Sequence, residues 1–78
     1  MRCSQYTFRK GIHPENPNKP CLLFVTFSKD ETTNMVCVEV RGIRNPLPFK
    51  KTYGIRSVDV ISWLKANGWE QIGTTLWN

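Results

Sequence analysis

The sequence predicts a small two-layer α+β domain, with one α-helix packed on a mostly antiparallel sheet of about four strands in the order β-β-β-α-β. Three observations predict it. Residues 35–41 alternate strictly, with Val36, Val38 and Val40 on one side and Cys37, Glu39 and Arg41 on the other. Residues 21–28 (Cys-Leu-Leu-Phe-Val-Thr-Phe-Ser) form the most apolar segment. Residues 57–68 carry a single apolar arc that ends at Asn67-Gly68.

Residues 3–10 alternate weakly, with Tyr6 and Phe8 on one face. They are expected to form a first strand at a sheet edge, because the other face is polar. Residues 11–20 hold Gly11 and three prolines in seven positions, Pro14, Pro17 and Pro20. Proline removes a ladder donor, so this segment is expected to be a surface loop.

In residues 21–28, Leu23, Val25 and Phe27 face one way and Leu22 and Phe24 the other. Two apolar faces predict a central strand covered on both sides, or one with a partner on the second side. Lys29 to Asn34 is a polar turn. It joins this strand to the β-branched strand 35–41 as a hairpin. Residues 42–56 contain two prolines and two glycines and are expected to form a long loop, with a short extended piece at 52–55.

Ser57 is placed to cap the helix, and Asp59 suits the positive end of the helix dipole. Val60, Ile61, Trp63 and Leu64 fall on one arc. Gly68 can take positive φ, which lets Trp69 pack back on Leu64. Residues 69–77 then form the last strand. The stretch Leu-Lys-Ala-Asn-Gly-Trp-Glu-Gln-Ile, residues 64–72, resembles a recurring end of small α+β domains: helix, Gly-Trp-Glu, strand.

The 78 residues suit a single domain, 1–78, and exclude a multidomain enzyme or a repeat solenoid. Apolar residues make up 40% and aromatics number nine, which argues against disorder. No apolar run is long enough to span a bilayer, and no apolar leader is visible, so the expected location is cytoplasmic, with no membrane partner. Three cysteines, Cys3, Cys21 and Cys37, cannot all pair within one chain, which fits reduced thiols.

Eleven Lys and Arg against six Asp and Glu give a formal net charge of +5. Arg41, Arg44, Lys50, Lys51 and Arg56 lie within sixteen residues with no acid among them. Phe49 and Tyr53 are interleaved with them, and Trp77 is a further aromatic anchor on the last strand. Cations for phosphates and rings for stacking are what a single-stranded nucleic-acid site requires. The same cations suit an acidic protein surface.

Cys3, His13, Cys21 and Cys37 lack the tight paired spacing of a zinc site. His13 has no nucleophile signature beside it, and Asp30, Glu31 and Asp59 suit a turn and a helix start rather than acid–base work. No cofactor, metal or catalytic residue is expected.

The leading expectation is a non-enzymatic interaction protein that regulates or inhibits a larger partner with an acidic surface. The alternative is binding of single-stranded DNA or RNA through 41–56. Edge pairing into a homodimer is a third expectation.

Overall fold

A computed structural model of the chain describes residues 3–29 and 32–77. Five strands and one helix follow in the order β1 (Cys3–His13), β2 (Asn16–Lys29), β3 (Val36–Arg41), β4 (Lys51–Tyr53), α1 (Ser57–Ala66) and β5 (Glu70–Trp77). All pairings are antiparallel, and the sheet order is β4-β3-β2-β1-β5. The small α+β class is as expected, but the sheet has five strands rather than about four. The added strand is β4, whose three residues pair with Cys37, Val38 and Glu39. Backbone bonds from Val40 N to Lys50 O (2.7 Å) and from Gly54 N to Val36 O (3.0 Å) extend that pairing beyond both ends of β4. Three residues are too few to show a period in the sequence.

The first strand is not at an edge: β1 lies between β2 and β5. Its polar second side marks an uncovered face, and a polar face says nothing about a free edge. The 11–20 segment is also paired, contrary to the loop expected there. β1 and β2 continue as a ribbon to His13 and Asn16, closed by Pro14 and Glu15. β3 pairs with β2 only from Phe24 onward and β5 with β1 only up to Arg9. The ribbon therefore has two free edges, which is where proline is tolerated. Gly11, at φ +68°, lies in the first register shift, and residues 17–19 bulge in the second. β2, at about 3.3 Å per residue, sets the 43 Å long axis.

The core lies on one face of the sheet. Phe8, Cys21, Leu23, Val25, Phe27, Val38 and Val40 are buried there with Val60, Leu64 and Trp69. Tyr6 meets Phe27 edge-to-face at 5.6 Å. The helix end matches the sequence expectation. Gly68 takes φ +90°, its N–H donates to Lys65 O (3.2 Å), and Trp69 N–H donates to Leu64 O (2.9 Å). These are the two bonds of a Schellman cap, and Trp69 closes over Leu64 as its apolar contact. The Lys10 ammonium donates to Asn67 O at 2.7 Å, a cation at the negative end of the helix.

The helix start differs. Arg56 occupies the N-cap position with no side-chain cap, and Ser57 is the first helical residue. Trp63 remains 42% exposed at the rim. The turn residues Asp30 and Glu31 lie outside the described residues.

Candidate binding face

The pairing registers sort the sheet into two faces. On the face away from the core, one cross-strand row reads Trp77, Cys3, Ser28, Cys37, Tyr53. The next reads Thr75, Gln5, Thr26, Glu39, Lys51. A third reads Gly73, Thr7, Phe24, Arg41, and a fourth Glu70, Arg9, Leu22. None of these side chains is buried, whereas the core face beneath the helix is closed. One helix can cover only one face of a sheet. The second cover expected over β2 is absent among the described residues, and Leu22 and Phe24 stand half-buried on an open surface.

Among the described residues, Phe24, Tyr53 and Trp77 are the aromatic rings of this face. At about 4.8 Å between strands and 3.3 Å per residue, Tyr53 and Trp77 are about 19 Å apart and Phe24 is about 16 Å from each. Two rings carry a cation. The Arg41 guanidinium lies 5.6 Å from the Phe24 centroid, and the Lys51 ammonium lies 6.0 Å from Tyr53. Each pair contributes about 0.5–1 kcal/mol at an exposed site and holds the charge against the sheet. Between them is a depression of about 310 Å³ lined by Phe24, Thr26, Glu39, Val40, Arg41, Lys50 and Lys51. Three of its lining side chains are cations and one is an acid.

The loop that carries the remaining cations is ordered. Asn45 accepts from Leu47 N (2.9 Å) and donates to Phe49 O (2.8 Å). Leu47 and Phe49 turn under the loop and pack on the core. Gly42 lets the chain leave β3 in close contact with β2, because a Cβ there would lie 2.8 Å from Leu22 O.

Of the residues singled out from sequence, the structure brings Arg41, Lys51, Tyr53 and Trp77 onto the open face and places Lys50 at its rim. Arg44 is exposed on the 42–50 loop. Phe49 packs on the core instead of facing outward. Arg56 lies at the start of the helix, bound by Asp59 through Nε–Oδ2 (2.9 Å) and Nη2–Oδ1 (3.0 Å). That hydrogen bond and the carboxylate charge hold the Arg56 pKa above its ordinary value. Its charge is thus already matched.

Phe24 and Arg9 join the face unforeseen. The signal for Phe24 was present: a strand apolar on both sides in a chain with a single helix. Arg9 faces Glu70 at 3.5 Å, an exposed pair that contributes little.

The possible zinc ligands do not converge. Cys21 is buried in the core, His13 closes the ribbon, and no group of three or more metal-ligating side chains occurs among the described residues. No helix among them is long and apolar enough to cross a membrane. No family model, curated protein or solved structure matches the chain.

Proposed function

We propose that this protein binds single-stranded nucleic acid across the open face of its sheet. The observation that carries the reading is the triangle of Phe24, Tyr53 and Trp77 on an uncovered face, with Arg41 and Lys51 held against two of its rings. Bases stack on Tyr53 and Trp77, and on Phe24 or on the guanidinium plane above it. Phosphates are met by Arg41, Lys50 and Lys51. Thr7, Thr26, Gln5 and Ser28 offer donors and acceptors between the rings. A span of this size accommodates on the order of 4–8 nucleotides. Duplex DNA keeps its bases stacked inside, so it can use the cations but not the rings.

A second reading, the regulation of a larger protein with an acidic surface, draws on the 42–50 loop. Asn45 orders this loop, and it presents Ile43, 54% exposed, beside Arg44. Preference for a single strand over a duplex separates the two readings, and salt counts the phosphate contacts. Three phosphate contacts on a single strand give a slope of about −2 in log K against log salt, a loss of roughly 20-fold between 50 and 200 mM.

Fluorescence anisotropy with labelled oligo-dT, oligo-rU and a duplex of equal length makes the test. The expected result is tighter binding of single strands than of the duplex, with that slope. Equal affinity for the duplex overturns the single-strand stacking reading, and absence of binding at 50 mM salt overturns nucleic-acid binding altogether and leaves the protein-partner reading.

A further inference from the structure

The two edges of the sheet are managed differently. β4 is three residues long and carries Lys51, so it offers little to a second chain. β5 is eight residues long, contains no proline, and its outer side has no neighbouring strand among the described residues. It is also the one element without a Lys or Arg, in a chain of net charge +5. Two copies that repel each other elsewhere can approach there. Leu76 and Trp77 are 72% and 46% exposed on this edge.

From these features we infer that two copies of the chain pair antiparallel through β5, with the two-fold axis at Thr75. The register follows from the strand itself. The irregularity in the β1–β5 ladder falls at Ile72, between the partners of Thr7 and Phe8, which leaves residues 73–77 as regular edge. Pairing about Thr75 sets Thr75 against Thr75, Leu76 against Thr74 and Trp77 against Gly73. Trp77 and Gly73 lie on the same open face, so the indole of each copy covers the position where the other lacks a side chain. The only charge on the strand, Glu70, falls outside the paired segment.

The result is a continuous ten-stranded sheet. Both open faces lie on one side, and two tryptophans sit near its centre, about 14 Å apart. A five-residue ladder is a small interface, and a dissociation constant on the order of 100 μM fits it.

The inference rests on the edge alone and is tested without nucleic acid. Sedimentation equilibrium of the wild type should show a monomer–dimer equilibrium. Thr75 is exposed, so T75K and T75E should stay folded by circular dichroism. Each alone should be monomeric, because like charges meet on the axis, and an equimolar mixture should dimerise again. A wild type that is monomeric up to about 1 mM overturns the inference. So does a dimer that survives T75K, or a mixture that fails to re-pair.

Discussion

Replacing Phe24 by leucine separates stacking from charge. Leu keeps an apolar side chain on β2, so the main loss to the fold is the Arg41–ring contact, about 0.5–1 kcal/mol. The domain should stay folded with its melting temperature lowered by a few degrees. Binding loses one stacking platform, about 1–3 kcal/mol, or roughly 5- to 150-fold in the dissociation constant for oligo-dT. Arg41 and Lys51 remain, so the salt slope should be that of the wild type. Anisotropy titrations at four salt concentrations, with a thermal melt beside them, read both quantities. A folded variant whose affinity stays within about twofold of wild type refutes the stacking role of the open face. A slope that becomes shallower shows that Phe24 matters only as the seat of Arg41.

Four further outcomes are expected. Lys51→Gln should make the salt slope shallower by about 0.7 while leaving the melting temperature nearly unchanged, since Lys51 is exposed; an unaltered slope removes Lys51 from the phosphate path. Leu64→Ala, at a fully buried helix position, should cost about 2–5 kcal/mol in chemical denaturation; a loss below 1 kcal/mol, roughly, contradicts its place in the core. Gly68→Ala should cost about 1–2 kcal/mol, because φ +90° is strained for any L side chain and the new Cβ would lie 3.2 Å from Lys10 Cε; a neutral effect speaks against the cap geometry. The raised pKa of Arg56 means that, on the alkaline side, its pairing with Asp59 is intact below the unfolded arginine value and is lost as pH rises through the folded one. The shift in melting temperature caused by Asp59→Asn should therefore be the same at about pH 6 and pH 9, and a difference between the two counts against this account.

Helix and cap were legible because their signals are local. Gly68 and Trp69 form a cap from neighbours in the chain, and the Val60–Leu64 spacing marks the buried side without reference to the sheet. The β2–β3 hairpin was legible from alternation on both strands. β4 was legible only as a short extended piece at 52–55, because Lys51-Thr52-Tyr53 pairs only where β3 already stands. The ribbon was hidden because proline is forbidden only where a strand has neighbours on both sides, and neighbour count is a property of the assembled sheet. The candidate site was half legible for a related reason. Clustered charge in the sequence pointed to 41–56, but the register distributes the open face over all five strands. Phe49 leaves the site expected of it for the core, and Phe24, expected beneath a cover or a partner, stands on the open face. The ring inside the basic segment turns inward, and the ring inside the most apolar strand turns outward.

Pairing the last strand with the first has a consequence in time. Residues 3–53 hold the four strands of the meander, yet without the residues that follow β1 has one bare side and the core face has no lid. Phe8, Leu23, Val25 and Phe27 wait for Leu64 and Trp69, and β1 waits for Gly73 and its neighbours, some seventy positions downstream in sequence. Covering the core face and pairing the bare side of β1 therefore both depend on the last twenty or so residues, which add the helix and the edge strand β5. A chain halted before residue 57 presents an apolar sheet and an open edge together, the combination most prone to pair with another chain.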